Sequence, residues 1–475
     1  MKKLIYIIIL ISAATFSSCE EFLTADLKGD YSSENYYTSK ESAVMAVTGV
    51  YNSMYNNTLW IFGDVASDDA VKGGNAGDQA DIIAINDFSA SADNGVLITY
   101  WQASYETIAR ANNAIANIST MTFDETLRKR LVGEAKFIRA YSYFNLLNIF
   151  GKVPLKLEPQ ITTSAIHVGL SEVSAIYIQI EKDLTDAIAA LPSSYATEAG
   201  RATKGAAYGL LAKVNLYQKK YLECLSAIQS LEDLKKYDLV KNYADLFVSG
   251  AEDSVEIVFG LRFINNTEVS LGNNLNVWFA PAIEGGYSFN APTQSYVDIF
   301  TEKTIGGNDD PRLDVSIGRD GKPWFNNRTF SSSWSEATGY LVKKYNENQI
   351  VGIAKNQSTV PSHFIRYADI VLMKAEALNE KGGTNAIINA ATELNRIRNR
   401  VNLASTTALT QNSMRIAIQN ERRKELGFEF HRFFDLMRWG KTTAEEALGV
   451  DFKWKEPRFY FPLPQSELDT NQALK

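Results

Sequence analysis

The sequence predicts an all-α protein in which a tetratricopeptide-like scaffold of paired helices carries an inserted, irregular, loop-rich lobe. Three observations lead to this fold class. Apolar residues recur at helical spacing over most of the chain, and the periodic segments follow one another in pairs. One pair, residues 364–400, spans about 36 residues, close to the ~34 of a tetratricopeptide unit. Between Lys235 and Pro361 the periodicity is weak, and this stretch holds 11 of the 29 glycines and 5 of the 11 prolines.

The chain begins with a targeting segment, residues 1–18. Two lysines precede an apolar run from Leu4 to Phe16, which is too short to span a bilayer and is typical of a signal peptide. Cys19 follows, and a cysteine in this place resembles the lipobox of bacterial lipoproteins. We therefore expect lipidation at Cys19 and a lipid-anchored tether over residues 19–40. The alternative is an ordinary secretory signal with an incidental cysteine.

Two helical parts are predicted, residues 41–234 and 362–475, on either side of the lobe at 235–361. A loop rich in glycine, aspartate and asparagine, Asn56–Asn94, interrupts the first part. The predicted helices are Glu41–Tyr55, Ile98–Ser119, Asp124–Phe150, Ser171–Leu191, Thr203–Tyr217, Tyr221–Leu231, Phe364–Lys381, Thr384–Arg400 and Ser413–Trp439.

The helix predicted at Asp124–Phe150 changes character along its length. Its first half has one apolar stripe, but from Ala140 onward apolar residues cover nearly the whole circumference. A helix of that kind must be packed on several sides, so we expect Phe144 and Leu147 to be buried. Gly151 is a suitable C-terminal cap for this helix.

Composition and motifs exclude several classes of protein. The net charge of −7 argues against nucleic acid as the main partner. No HExxH, GxSxG or Walker A motif occurs, so we predict no enzyme activity, no cofactor and no metal. A glycosidase stays open as an alternative, because its paired carboxylates need only proximity in space.

Two groups of charged residues have a structural interpretation. The early loop contains Asp64, Asp68, Asp69 and Asp78, which could hold a Ca²⁺, although a solvated surface is the favoured interpretation. Near the end of the chain, Glu421, Glu425, Glu429 and Arg432 fall at three- and four-residue spacings, which predicts ion pairs within one helix.

Seven segments occur along almost the whole chain in a characteristic order: Cys19–Leu23, Tyr100–Ile115, Gly133–Leu155, Arg201–Tyr217, Ile365–Glu380, Asn420–Gly440 and Phe461–Leu474. Each alone is a packing pattern. Together and in this order they resemble the SusD/RagB family of outer-membrane nutrient-binding lipoproteins. The acidic pair after Cys19 is similar to the surface-export signal of Bacteroidetes lipoproteins.

The resemblance implies a fold and a function. It implies an all-helical, tetratricopeptide-like scaffold with a loop-rich binding lobe, on the cell surface and anchored in the outer membrane. It also implies a partner, a SusC-type TonB-dependent transporter on which the protein docks as a lid. Members of the family capture oligosaccharides and, in some branches, peptides, and they are not enzymes.

Candidate ligand-binding residues follow from sugar chemistry. A sugar ring stacks its C–H face on an aromatic ring, and amides, hydroxyls and carboxylates bind its hydroxyl groups. The early loop, which the family places near its binding surface, and the lobe, where Gly285–Phe300 resembles a family segment beside the site, supply candidates. They are Trp60, Asp68, Asn75, Trp278, Tyr287, Trp324 and Trp334. For each aromatic residue alone, hydrophobic anchoring of a loop is the alternative.

The favoured function is a surface lipoprotein that captures oligosaccharides and delivers them to the transporter. Peptide capture by the same fold is the nearest alternative. Two others belong to different classes: a tetratricopeptide scaffold that assembles proteins in the periplasm, and a surface glycan hydrolase.

Overall fold

The computed structural model describes residues 36–55, 58–266, 271–347, 355–449 and 452–474. The predicted signal segment and the lipidation site Cys19 lie outside these residues, so both stay predictions. Within the described ranges, no helix combines the length and the apolar character that a membrane span requires.

Helices make up most of the described chain, which confirms the predicted fold class. In chain order they are α1 Lys40–Ser53, α2 Ala80–Asn86, α3 Gly95–Thr120, α4 Glu125–Phe150, α5 Thr163–Ile166, α6 Val173–Ala190, α7 Lys204–Tyr217, α8 Tyr221–Asp233, α9 Leu275–Phe279, α10 Gln294–Asp298, α11 Pro311–Ser316, α12 Tyr367–Lys381, α13 Thr384–Arg400, α14 Gln411–Leu426, α15 Arg432–Trp439, α16 Lys441–Leu448 and α17 Gln465–Thr470. A π-helical turn spans Ile61–Val65, and short 3₁₀ turns include Ala282–Glu284 and Ser332–Trp334.

The long helices pack in succession. Helix α1 contacts α3, α3 contacts α4, α4 contacts α6, and α6 contacts α7. The series continues from α7 to α8, from α8 to α12, and from α12 to both α13 and α14. Each helix thus buries its apolar face between its neighbours, as in stacked helical repeats.

Helix α4 has the packing that its sequence predicts. The side chain of Asp124 caps its N-terminus by accepting a hydrogen bond from Leu127 N at 2.7 Å, and Gly151 follows its last turn with φ 76°. Phe144 and Leu147 are 4% and 1% exposed, which confirms their predicted burial. The polar residue Asn148 in this half of the helix is also buried, and it donates to Phe144 O at 2.7 Å.

Short antiparallel strand pairs tie the lobe to the rest of the molecule. Strand β1 (Ala70–Gly73) in the early loop pairs with β3 (Phe289–Pro292) in the lobe, in a register that places Val71 opposite Ala291. The other pairs join β2 (Ile257–Leu261) to β6 (Ser362–Arg366) and β4 (Ile317–Gly318) to β5 (Leu341–Val342). One apolar core includes residues from all parts of the described chain, so the division into domains stays a prediction.

The end of α14 holds buried charges that face the lobe. Glu421 pairs with Arg312 at 2.6 Å, and Glu425 pairs with Arg366 at 2.6 Å. Beyond the helix, Glu429 also pairs with Arg366 at 2.6 Å. The interpretation of these glutamates as partners within one helix is therefore wrong, because their cations come from α11, from β6, from the end of α13 and from Lys344. Because each carboxylate is at most 1% exposed, these buried charges depend on their cationic partners for compensation.

Candidate functional site

Two aromatic side chains of the lobe form an exposed surface, which we call the aromatic platform. Trp278 lies in α9 and Tyr287 lies two residues before the start of β3, and their ring centroids are 5.4 Å apart at an interplanar angle of 54°. Trp278 is half-buried. Tyr287 is 54% exposed, more than any other aromatic side chain in the described part of the chain. An exposed ring of this kind is available to a ligand.

Buried aromatic rings support the platform from below. Phe289 lies 5.6 Å from Trp278 at an interplanar angle of 29°, and Trp60 lies 6.4 Å from Phe289 at 18°. Trp60 also contacts Phe279 edge-on at 5.4 Å. Because these rings are packed against one another, the platform is supported by the core and is not part of a mobile loop tip.

The turn between α9 and β3 is closed by backbone hydrogen bonds. Tyr287 N donates to Val277 O at 2.9 Å, and Ser288 N donates to Ala280 O at 2.9 Å. A Cβ atom at Gly286 would lie 2.2 Å from Ala280 O, so a glycine is needed where the two backbone segments approach. This turn, which we call the platform turn, therefore holds Tyr287 in a defined place beside α9.

The early loop reaches the edge of the platform. Gly74 N donates to Ser288 O at 2.8 Å, and its neighbour Asn75 is exposed. Lys72 orders this loop: its ammonium donates to Asn75 O at 2.6 Å and forms an ion pair with Asp78. Tertiary structure thus brings together Asn75, Trp278 and Tyr287, three of the residues predicted from sequence.

Trp324 and Trp334 form a separate cluster next to the platform turn. Trp324 is 5% exposed and packs on Phe330, while Trp334 is half-buried, with its ring centroid 6.2 Å from that of Trp324. Glu284 joins this cluster to the turn, because it accepts from Trp324 Nε1 at 3.1 Å and from Arg328 Nη1 at 2.7 Å. The burial of Trp324 disagrees with its prediction as a ligand contact, since its ring anchors the loop.

Trp60 and Asp68 also disagree with the prediction that they contact a ligand. Trp60 is 1% exposed and lies beneath the platform. Asp68 is enclosed by two guanidinium groups, with Arg432 Nε at 2.7 Å and Arg423 Nη2 at 2.9 Å. Burial tends to raise the pKa of Asp68, but the attraction and hydrogen bond of Arg432 together with the attraction of Arg423 lower it below its usual value.

Three aspartates of the early loop, Asp64, Asp68 and Asp69, are not part of a solvated surface, whereas the Asp78 side chain is 40% exposed. Asp64 and Asp69 are fully buried, and burial raises the pKa of both. Asp64 accepts from Asn290 Nδ2 at 2.9 Å and from Phe430 N at 3.1 Å, and Arg423 pairs with Asp69 at 2.5 Å. These carboxylates therefore fasten the early loop to α14 and the lobe. No group of three or more His, Cys, Asp or Glu side chains in the described ranges is arranged to hold a metal ion.

Sequence reasoning missed Glu284 and Phe289. Glu284 is not aromatic, so a search for aromatic ligand contacts passes over it. Nothing in the sequence indicates that it pairs with Trp324 and Arg328, which lie 40 and 44 residues further along the chain. Phe289 lies in the segment that resembles a family motif, but its burial depends on Trp60, which is distant in sequence.

Two family models match successive parts of this chain. The model described as the SusD family matches residues 255–457, and the model described as starch-binding associating with outer membrane matches residues 21–216. The SusD-like protein P25 of Formosa agariphila is 25% identical over 510 residues, which covers 96% of this chain and 95% of that protein.

Two solved structures extend the similarity to the fold. A laminarin binding SusD-like protein has a TM-score of 0.77 and 29% identity over 91% of this chain and 98% of its own. A SusD superfamily protein from Bacteroides vulgatus has a TM-score of 0.81 and 26% identity over 92% of this chain and 98% of its own. The similarity thus extends over nearly the whole described fold.

Proposed function

The chain belongs to the SusD family, and we propose that it captures oligosaccharides at the outer membrane through the aromatic platform. The family consists of non-catalytic binding proteins. The observation that carries the proposal is the contact of the exposed Tyr287 ring with the half-buried Trp278 ring, which Phe289 supports from below. A laminarin-binding relative with 29% identity supports a glycan as the ligand.

The platform suits a sugar for physical reasons. An exposed ring offers its face to the C–H groups of a pyranose, and the buried rings beneath it reduce the entropy lost on binding. The amide of Asn75 at the platform edge supplies both a donor and an acceptor for sugar hydroxyls. Two cations near the platform, Lys72 and Arg328, are already paired with the carboxylates of Asp78 and Glu284, so neither requires an anionic ligand.

The binding experiment is calorimetric titration of laminarihexaose, maltohexaose and a mixed peptide library into the protein. Trp278→Ala and Tyr287→Ala should each weaken binding of at least one oligosaccharide by more than about tenfold, since an aromatic anchor is worth about 2 kcal/mol. Trp454→Ala is the matched control, because it removes a half-buried indole from the C-terminal segment. Binding of peptides without any oligosaccharide would replace the proposed ligand, and release of shortened sugar would contradict a binding-only role.

We also propose a location and a partner. One matching family model is described as associating with the outer membrane, which supports location there. The apolar signal core before Cys19 supports a lipid anchor at this cysteine, and the family resemblance supports surface exposure and docking on a SusC-type TonB-dependent transporter. Cys19→Ala should move the protein from the membrane fraction to the soluble fraction, and unchanged fractionation would contradict the anchor. Co-purification of a transporter barrel with the tagged protein tests the partner.

A further inference from the structure

The structure contains an open cavity that is not lined by any platform residue. It measures about 410 Å³ and is bounded by α1, by the loop before α7 and by residues 260–264 and 271–272. We call it the α1 groove and define it by Tyr51, Tyr55, Arg201, Arg262, Phe263 and Leu271. Its volume falls within the range of small-molecule sites, about 300–1,000 Å³.

Two tyrosines of the groove are fixed in place. Tyr51 lies in the last turn of α1, and Tyr55 lies two residues beyond the end of this helix. The Tyr51 hydroxyl accepts from Ala202 N at 2.8 Å, and the Tyr55 hydroxyl accepts from Asn274 N at 3.1 Å. Phe263 packs edge-on against Tyr55 at a centroid distance of 5.3 Å. Hydrogen bonds at both hydroxyls prevent the rings from rotating into the cavity, so the groove has a preformed aromatic wall.

The groove carries no unbalanced charge from its two arginines. Arg201 pairs with Glu134 at 2.9 Å and with Glu198 at 3.0 Å. Arg262 pairs with Asp253 and donates to Glu252 O at 3.0 Å. Both guanidinium groups therefore have anionic partners from the protein, which favours an uncharged ligand over an anionic one.

Polar groups stand at the rim of the groove beside its apolar walls. Asn52 and Thr48 are exposed on α1, and Thr48 Oγ1 accepts from Arg201 at 3.2 Å. Opposite them, Leu271 presents an aliphatic surface that is 44% exposed. Fixed rings, an aliphatic wall and an amide at the rim match the alternating C–H faces and hydroxyl edges of a sugar chain.

We propose that the α1 groove is a second binding site for uncharged oligosaccharides, separate from the aromatic platform. The ligand class rests on the proposed function, whereas the existence of the site is inferred from the geometry and charge of the groove. Its relation to the platform is close, because Tyr55 contacts Asn274 and α9, which carries Trp278, begins at the next residue. A second site raises the avidity for long chains without any new contact at the first site.

The test uses variants that fill or strip the groove while the platform stays intact. Ala199→Trp fills the groove from an exposed position on its lining, and Phe263→Ala removes one ring of its wall. Trp278→Ala serves as the matched platform variant. Circular dichroism and thermal unfolding check each fold, and calorimetric titration with laminarihexaose, maltohexaose and a polyanionic alginate hexamer gives affinity and stoichiometry.

The expected result is a stoichiometry of two sugars per protein, or a single affinity that falls about tenfold in Ala199→Trp and Phe263→Ala. Loss of affinity in the groove variants alone would support the groove and contradict the platform. Loss in Trp278→Ala alone, with unchanged affinity and stoichiometry in both groove variants, would overturn the second site and leave the proposed function standing. Preference for the alginate hexamer would overturn the inferred ligand class. Absence of any sugar binding to the unaltered protein would overturn both proposals.

Discussion

Glu284 should hold the turn that presents Tyr287. Its carboxylate accepts from the indole N–H of Trp324 and from Arg328, so it fastens the platform turn to the neighbouring aromatic cluster. Glu284→Ala removes both contacts, whereas Glu284→Gln keeps an acceptor for the indole and removes only the charge. The two variants therefore separate the hydrogen bond from the ion pair.

The magnitude follows from the burial of the partners. Trp324 is 5% exposed, and a buried donor without an acceptor costs about 1–3 kcal/mol. The Arg328 side chain is 38% exposed, so solvent screens the ion pair and limits its contribution to about 1 kcal/mol or less. We expect Glu284→Ala to lower the free energy of unfolding by about 1–4 kcal/mol, and Glu284→Gln by about 1 kcal/mol or less.

Denaturant unfolding followed by tryptophan fluorescence measures stability, and calorimetric titration measures binding. Disorder of the turn equivalent to about 1 kcal/mol should weaken oligosaccharide binding about fivefold in Glu284→Ala. Glu336→Ala removes an exposed carboxylate from the same lobe and should leave both quantities unchanged. A change below about 0.5 kcal/mol in Glu284→Ala, together with unaltered binding, would refute the reasoning, because surface substitutions already vary by that amount.

Three further predictions concern the core, the platform turn and the dependence on pH. Phe144→Ala should destabilise the protein by about 3–5 kcal/mol in denaturant unfolding, because the ring is enclosed by the all-apolar half of α4, and a loss below about 1 kcal/mol would contradict that packing. Gly286→Ala should weaken sugar binding and lower the melting temperature, since its Cβ would collide with Ala280 O; unchanged values for both would show that the turn can adjust. Burial raises the pKa of Glu429, but the attraction of Arg366 and Lys344 outweighs it and lowers the pKa from 4.5 to about 2. The contribution of Glu429 to stability should therefore be present above pH 4.5 and be lost between pH 4.5 and 2. In unfolding titrations, Glu429→Gln should lose less stability over this window than the unaltered protein. An equal dependence of the free energy of unfolding on pH in both proteins would exclude Glu429 as a cause.

The sequence by itself determined the helical scaffold of this protein. Helix periodicity, the Asp124 cap and the terminal Gly151 are local properties, and the same residues begin and end α4 in the structure. Burial of Phe144 followed from the apolar circumference of its own helix. The family could also be identified from motifs that occur in order along the chain.

Only tertiary structure decided which aromatic residues of the loops face solvent. In a weakly periodic segment no spacing indicates a buried face, so Tyr287 and Trp324 have the same sequence signal although one is 54% and the other 5% exposed. Trp60 is buried because Phe279 and Phe289, more than two hundred residues further along the chain, pack against it. The ion-pair partners of Glu425 likewise could not be predicted from the sequence. Arg366 and Arg312 reach it from β6 and α11, and a pairing of charges across such distances depends on the fold as a whole.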